Sequence, residues 1–565
     1  MKRRTLALIL FAMACVPMIH AQFHLRETEV LPPGTATYAC ILTADDNMIV
    51  VHRAGSQEPV QLSKYSDVGE LLWRKQITQE GASAPLAFPN GVVADASGGC
   101  YITLFKSQEI LWSPEDWVED TLRQHLAIVH INSGGSLTEE ISFTREELFL
   151  SSSSIATGLV EMVPFIGPGS TMGLRIITSN ATSFPSEELV LFNDLFEPQW
   201  IKSIGDPLFG PEIPTVTNYD LFDTRRVLTT TDGNILRFTG SLFTENSFEI
   251  VEIDVNGNLV SANRYHYINS AISQFYRDLT VAADGSIHVL ADLILANGLN
   301  GTLIIRIRPD GSVIDADLYQ LLYNAHRIWF TDAGTRMVAG YGNVQFMACD
   351  TLGSDALVQL GVSHVLGENT VRSSMSALDP SADIVVGAGQ YSETHNITSF
   401  TNRYWNIHRF AMDDLDFCFT TASTATHYDI PADVIEELPV DDHVSIDLSG
   451  RYTWDGPSTL TLEDVPAVEM VDICGPITGI HPQPGFSGTE LLINSVMGRG
   501  EPAKVTELAS TLVLTVQDMS GRVALSNSTT GLRTIPTTML VPGAYVLQGR
   551  TKDGTFIGAQ RFIVE

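Results

Sequence analysis

Few residue groups in this sequence have the types and spacing that metal binding or catalysis requires. Asp254, Asn256 and Asn258 place oxygen ligands at alternate positions around Gly257, as in the first half of a calcium loop. Such a loop needs a bidentate carboxylate near its twelfth position, and that position counted from Asp254 is Tyr265. A hairpin turn is therefore favoured, and calcium is the weaker alternative. No other cofactor is predicted.

The remaining candidates for chemistry are weaker still. His125 and His130 are five residues apart, without an acidic third ligand at metal spacing, so strand or loop histidines are predicted. Glu139 and Glu140 are adjacent, which places them on opposite faces of a strand. The sequence has no Gly-x-Ser-x-Gly elbow, Cys-x-x-Cys pair or phosphate loop. No catalytic residue is predicted, although a site assembled from acids of several repeats leaves no such local motif.

The elements around these residues form a repeat. An Asp/Gly/Asn turn opens a β-prone run, and a second run ends in another Asp-Gly or Asn-Gly turn. The clearest copies are 231–238 with 248–260, and 283–290 with 303–314. The opening turns fall near residues 46, 96, 168, 232, 284, 332 and 380. Repeats of this size with about four short strands predict an all-β fold, an approximately seven-bladed β-propeller over residues 22–416. Two stacked β-sandwiches are the alternative.

Two details refine the repeat prediction. The segment Phe23–Leu31 precedes the first copy, and we expect it to supply an outer strand to the last one, around Tyr404–Met412. The run 196–202 resembles 69–75, because each has a Trp and a Lys two residues apart. The series of copies is similar to bacterial extracellular repeat propellers, a resemblance that says nothing about the ligand.

Residues 417–478 are rich in Thr, Pro and Asp, and they predict a β connector between the repeats and the C-terminal domain. Cys418 and Cys474 bracket this segment and are the candidate disulfide of an oxidising compartment. Cys40, Cys100 and Cys349 lie in strand-like apolar runs, where small buried hydrophobic residues are expected.

The N-terminus has the pattern of a secretory signal over residues 1–21. Basic residues precede an apolar run of about 14 residues, too short to span a bilayer, and cleavage is expected between Ala21 and Gln22. Removal of Lys2, Arg3 and Arg4 leaves 30 basic and 66 acidic residues, a net charge of −36. Such acidity disfavours nucleic-acid partners, and no transmembrane segment is predicted in the mature chain.

Residues 479–565 predict a small β-sandwich with turns at Ser520-Gly521, Pro542-Gly543 and Asp553-Gly554. A Pro-rich opening, an Asp-x-x-Gly-Arg strand end, a Leu-x-x-Gly-x-Tyr run and a basic-aromatic last strand follow in order. This order resembles the type A sorting domain of the type IX secretion system of Bacteroidota, although Gln483 stands where Asn is common. The residues that match are Asp518, Gly521, Arg522, Leu540, Gly543, Tyr545, Arg561 and Phe562.

The resemblance implies export by the type IX machinery and either release or attachment at the outer-membrane surface. The leading hypothesis is a non-enzymatic binding or adhesion protein with an extracellular glycan or protein ligand. The alternatives are a propeller hydrolase or lyase acting on extracellular polysaccharide, and a structural surface-layer component.

Overall fold

A computed structural model describes the chain from residue 22 to 473 and from 496 to 564, with gaps. The gaps are 32–35, 54–57, 80–88, 112–118, 151–158, 181–182, 194–195, 206–226, 231, 241–246, 268–270, 296–299, 321–324, 341, 344, 350–355, 362–363, 367–368, 396–400, 413–419, 441–443, 457–459, 498–502, 505–511, 519–522, 528–533, 536–539, 542 and 552–555. The chain divides into two compact units, residues 1–472 and residues 473–565. In the described ranges, no helix is long and apolar enough to cross a membrane.

The first unit contains seven sheets that follow one another along the described chain, each an antiparallel meander of four strands. Sheet 1 has Ala36–Leu42, Met48–Arg53, Val60–Tyr65 and Leu71–Gln79; sheet 2 has Pro89–Ala94, Cys100–Leu111, Glu119–Ile131 and Leu137–Leu150. Sheet 3 has Leu159–Ile166, Met172–Asn180, Ser183–Phe192 and Pro198–Gly205; sheet 4 has Val227–Thr229, Ile235–Gly240, Ser247–Ile253 and Leu259–Tyr267. Sheet 5 has Ala271–Val281, Ile287–Leu295, Asn300–Ile307 and Val313–Gln320; sheet 6 has Ala325–Phe330, Arg336–Gly340, Gln345–Cys349 and Ala356–Gly361.

Sheet 7 joins the two ends of this series. It has Asn369–Ser381, Ile384–His395 and Thr401–Ala411, and its fourth strand is Phe23–Glu27; the short strands Gly342–Asn343 and His364–Leu366 also pair with Asn369–Ser381. Phe23 lies opposite Arg409 and Arg26 opposite Asn406. The expected pairing of the N-terminal segment with the last repeat is therefore confirmed.

All seven opening turns identified in the sequence fall between the first and second strands of a sheet. Glycines in many of these hairpins have the positive φ angle that Asp-Gly and Asn-Gly turns require. The strand Ser247–Ile253 buries apolar side chains on both faces, with Phe248 and Ile250 in one core cluster and Val251 and Ile253 in another. The hairpins are thus determined by local sequence.

The core lies between successive sheets. One cluster joins Ile49 and Leu62 of sheet 1 to Ile102 and Val129 of sheet 2. Similar clusters join sheet 2 to 3, 3 to 4, 4 to 5, 5 to 6 and 7 to 1. The first strand of sheet 2 contacts the first strands of sheets 1 and 3, and such contacts continue through sheet 7 back to sheet 1. The sheets therefore contact one another in a closed cycle.

The segment after the repeats differs from the predicted connector. Its strands each add to the outer edge of a sheet, in the reverse of chain order, and together we call them the perimeter segment. They are Thr420–Ile430 on sheets 6 and 5, Ile435–Pro439 on sheet 4, Val444–Asp447 on sheet 3, Tyr452–Gly456 on sheet 2, Leu460–Asp464 on sheet 1 and Met470–Asp472 on sheet 7. Short 3-10 turns lie at Pro168–Ser170, Ala432–Val434 and Ser449–Arg451.

The second unit contains a five-stranded and a two-stranded sheet. The larger has Val496–Met497, Phe556–Val564, Gly543–Thr551, Leu512–Asp518 and Val523–Asn527 in spatial order, and the smaller has Ala503–Lys504 and Thr534–Ile535. The other described strand pairs of this unit are antiparallel, whereas Val496–Met497 runs parallel to the last strand.

Candidate functional site

The candidate site lies on the outer rim of the first unit and begins with a tryptophan. Trp200, on the outer strand of sheet 3, donates its indole N–H to the carbonyl of Val255 at 2.9 Å, in a turn of sheet 4. Its ring packs on Gly257, where φ is +79° and an added Cβ would lie 2.9 Å from the indole. A side chain larger than glycine would therefore be strained and would push the indole away.

The same arrangement occurs at sheet 1. Trp73 donates its indole N–H to the carbonyl of Ser133 at 3.0 Å and packs on Gly135. Two residues later, Lys75 forms an ion pair with Asp464 of the perimeter segment at 2.7 Å. Lys202 lies opposite Asp447 in the same register on sheet 3. The Trp-x-Lys likeness in the sequence thus reflects equivalent positions in the fold.

A cavity of about 460 Å³ opens beside Trp200. It is open to solvent and is lined by the outer strand of sheet 3, the turn of sheet 4 and the perimeter segment. Its lining consists of Pro198, Gln199, Trp200, Ile201, Lys202, Val255, Asn256, Asp447, Ser449 and Trp454. Binding pockets for small ligands typically have volumes of about 300–1,000 Å³ and combine an apolar wall with a few placed polar groups. We call this feature the rim cavity.

Trp454 forms the aromatic wall of the rim cavity, and its ring orientation is determined by packing. Its centroid lies 5.0 Å from that of Phe143 and 5.9 Å, edge-on, from that of Phe192. The ring is half-buried, so part of its surface is available to a ligand. An indole held in this way offers a rigid apolar face with little entropy to lose on binding.

The polar groups at the rim are two charged side chains, Asp447 and Lys202, and two exposed amides, Gln199 and Asn256. Asp447 accepts a hydrogen bond from the backbone N–H of Ser449 at 3.0 Å. This hydrogen bond, and then the charge of Lys202, lower the pKa of the Asp447 carboxyl. Asp447 is therefore an ionised acceptor at neutral pH, and Lys202, Gln199 and Asn256 supply donors around the same opening.

Carboxylates on the inner strands have structural roles. Asp379 accepts the backbone N–H of Leu42 at 2.9 Å, and Asp278 accepts that of Ile328 at 3.0 Å. Each bond joins two neighbouring sheets. Asp292, on the second strand of sheet 5, has its pKa raised to about 6 by burial. Asp379 and Asp278 therefore hold neighbouring sheets together.

The predicted calcium half-loop forms a hairpin turn. Asp254 accepts backbone N–H groups of Asn256 and Asn258, both at 2.8 Å, which holds the turn closed. His130 contacts Asp95 at 2.5 Å and stacks on Tyr101, in agreement with the prediction of a strand histidine.

The structure describes part of the predicted site set. Asp518, Tyr545 and Phe562 lie opposite one another on three neighbouring strands, and Arg561 lies opposite Val546. Gly543 begins the second of these strands, and Leu540 is buried just before it. The residues outside the described ranges are Ala21, Cys418, Cys474, Gly521 and Arg522, whereas Gln22 is the first residue described.

The described cysteines agree with the prediction. Cys40, Cys100 and Cys349 are free and buried. No disulfide joins cysteines within the described residues.

Sequence reasoning missed most of the rim cavity. The recurrence of Trp and Lys two residues apart marked Trp200 and Lys202 as equivalent repeat positions, not as site residues, and Asn256 was considered only as part of a calcium half-loop. Trp454 and Asp447 come from the perimeter segment, which has no repeat to reveal its register.

No family model and no curated protein matches the chain. Among solved structures the chain is similar to PorZ, an essential bacterial surface component of the type-IX secretion system of Porphyromonas gingivalis. The identity is 9%, the match covers 95% of this chain and 100% of PorZ, and the TM-score is 0.17. A PL25 ulvan lyase matches with 10% identity, coverage of 68% and 96%, and a TM-score of 0.28. A Trypanosoma rangeli sialidase in complex with the inhibitor DANA matches with 7% identity, coverage of 72% and 96%, and a TM-score of 0.19. These likenesses are too distant to assign the chain to a family.

Proposed function

We propose that the first unit is a seven-bladed β-propeller and that the protein is an exported, non-enzymatic binding protein that holds a sugar in the rim cavity. Three observations support the propeller: seven consecutive four-stranded meanders, contacts between them in a closed cycle, and a last sheet completed by the N-terminal strand. In this arrangement the perimeter segment runs around the outside of the ring.

The observation that carries the binding function is Trp454 beside a polar opening. A pyranose ring has one face of C–H groups and a belt of hydroxyls, so it matches an indole face with charged and amide groups at its edge. The cavity of about 460 Å³ has room for a ring of this size. We therefore infer that a monosaccharide unit of an extracellular glycan is the ligand.

Loss of the cavity's polar rim is expected to weaken glycan binding at least ten-fold. The double variant Q199A/N256A removes two exposed side chains from the opening and leaves the core intact. A glycan array with the purified mature chain selects the ligand, and titration calorimetry then compares the variant with the unmodified chain.

The matched control is D310A, which occupies the same turn position on sheet 5 as Asn256 does on sheet 4. It should bind as the unmodified chain does. Equal affinity of Q199A/N256A and the unmodified chain would exclude the rim cavity, and cleavage of the bound glycan would favour the hydrolase or lyase alternative.

We further propose that the C-terminal unit is a type IX sorting domain and that the mature protein is secreted or attached to the cell surface. The support is the order of its sequence motifs, with Asp518, Tyr545 and Phe562 in one row of the sheet. The proposed partner is the type IX secretion machinery.

A periplasmic reporter fused to residues 481–565 is expected to reach the cell surface or medium in a host with a type IX system. Cell fractionation and surface proteolysis measure its location. The control is the same fusion in a strain whose type IX system is inactivated, where the reporter should accumulate in the periplasm. Periplasmic retention in both strains would refute the sorting function.

The Cys418–Cys474 disulfide is also a proposal. The described perimeter segment begins at Thr420 on sheet 6 and ends at Asp472 on sheet 7. These two sheets are neighbours in the cycle, and each cysteine lies two residues beyond an end. A bond between them would close the perimeter segment into a loop around the propeller.

A further inference from the structure

A group of metal-ligating side chains lies where the perimeter segment meets sheet 5. Asp317 is on the outer strand of sheet 5, directly opposite Asp429 of the perimeter strand, and His427 is two residues from Asp429. Opposed residues and residues two apart on a strand share one face of a sheet. All three side chains therefore extend from the same face.

The ligand atoms of these side chains converge. His427 Nε2 lies 2.9 Å from Asp317 Oδ1 and 3.5 Å from Asp429 Oδ1. The three ligand atoms all lie within 4.8 Å of one another. Two ligands bound at about 2.0–2.2 Å to a tetrahedral ion are about 3.4 Å apart, so little movement is needed to hold one ion.

The buried carboxylate of the group is held by a neighbour. Arg336, which is fully buried on sheet 6, donates to Asp317 Oδ2 at 2.8 Å and to the Tyr319 hydroxyl at 3.0 Å. Asp317 Oδ2 is thereby fixed, and Oδ1 is directed at His427 and Asp429. Outer hydrogen bonds of this kind orient carboxylate ligands at metal sites.

We propose that Asp317, His427 and Asp429 bind one Zn²⁺ ion, with water as the remaining ligand. One imidazole nitrogen with two carboxylate oxygens is a zinc-type ligand set, whereas Ca²⁺ and Mg²⁺ take oxygen ligands. The Asp429 side chain is 91% exposed, so an ion reaches the site from solvent.

The position of the site gives the ion a structural role. His427 and Asp317 are 110 residues apart in sequence, and the strand carrying His427 pairs with both sheet 5 and sheet 6. An ion bound by all three side chains fastens the perimeter segment to sheet 5. Zinc should therefore protect this strand from opening.

The test uses the untagged mature chain, residues 22–565, stripped with a chelator. Calorimetric titration with ZnCl₂ is expected to show one equivalent bound, and Ca²⁺ and Mg²⁺ should not compete. Free zinc at 100 times its dissociation constant should favour the folded state about 100-fold, which raises the melting temperature. Hydrogen exchange of residues 426–430 should slow when zinc is bound.

Two variants test the assignment of ligands. D429N removes an exposed ligand without disturbing the core, and H427A removes the imidazole; both should lose the zinc equivalent and the zinc-dependent rise in melting temperature. The matched control is D464N, an 87% exposed aspartate elsewhere on the perimeter segment, which should bind zinc normally. Absence of stoichiometric binding, or undiminished binding by D429N, would overturn the proposal.

Discussion

Deletion of residues 22–31 is expected to abolish cooperative folding of the first unit or to lower its melting temperature sharply. The deletion removes the fourth strand of sheet 7, which pairs with Thr401–Ala411 on one side and Met470–Asp472 on the other. It also removes Phe23, 8% exposed, from the cluster between sheets 7 and 1. Burial of an aromatic side chain contributes about 1.5–3 kcal/mol.

The deletion also leaves a buried charge without its partner. Glu27 accepts from Arg74 Nη1 at 3.0 Å, and both side chains are less than 10% exposed. Removal of one partner of a buried ion pair costs about 3–5 kcal/mol. The combined loss approaches the whole stability of a typical domain, about 5–15 kcal/mol.

If the deletion variant does not fold, two single substitutions still test this prediction through the free energy of unfolding. F23A should lower the free energy of unfolding by about 3–5 kcal/mol because it opens a cavity between two sheets. V30A, at a residue 54% exposed, should change it by less than about 0.5 kcal/mol. Differential scanning calorimetry compares the three chains, and an unchanged transition in the deletion would show that the strand does not close the ring.

The features that were predictable from sequence are those encoded locally. Turns such as Asp254–Asn258 need a residue with positive φ and a side chain that caps the turn, so Gly257 and Asp254 identify the hairpin themselves. The strand of residues 23–27 was predictable as well, because an incomplete last repeat requires a strand from elsewhere.

The perimeter segment was not predictable in the same way. Leu460–Asp464 pairs with Leu71–Gln79, and Lys75 and Asp464 are 389 residues apart. Its strands are short, and some alternate: Leu460 is buried and Leu462 half-buried, with exposed residues between and after them. The alternation indicates a strand, but no repeat in the segment shows which sheet that strand joins. The perimeter segment supplies Asp447, Ser449 and Trp454 to the rim cavity, which is why these three residues were absent from the sequence analysis.

Mild acid is expected to unfold the first unit, because it encloses several uncharged histidines. Burial lowers the pKa of His24, His52 and His326 to about 3, and that of His288 to about 4. His408 is shifted well below its usual pKa by burial and by the nearby His24, whose Nδ1 lies 3.1 Å from its own. The unfolded chain binds a proton at each of these sites near pH 6.5.

The direction of the pH dependence follows from this difference. Between pH 6.5 and the folded-state pKa values, the unfolded state binds more protons than the folded state, so stability is complete above about pH 7 and is lost as the pH falls. At about pH 4.5, each histidine with a folded pKa of about 3 favours unfolding by roughly 2–3 kcal/mol. The sum over the three such residues, about 6–9 kcal/mol, is comparable with the stability of a typical domain, about 5–15 kcal/mol.

Tryptophan fluorescence during a pH titration of the mature chain should therefore show cooperative unfolding between about pH 6 and pH 4. The double variant H24Q/H408Q removes two titrating groups and keeps polar side chains in their place, so it should unfold at lower pH even if its stability at pH 8 is reduced.

H125Q is the control, because that imidazole is 36% exposed on sheet 2, and its midpoint should match that of the unmodified chain. A mature chain that stays folded at pH 4, or a double variant with an unchanged midpoint, would show that protonation of these histidines does not drive the unfolding. The acid transition would then have to come from the carboxylates, such as Asp317, whose pKa hydrogen bonds from Arg336 and His427 hold low. Those groups lose their contribution only as the pH falls below their normal range, so the pH of the midpoint separates the two causes.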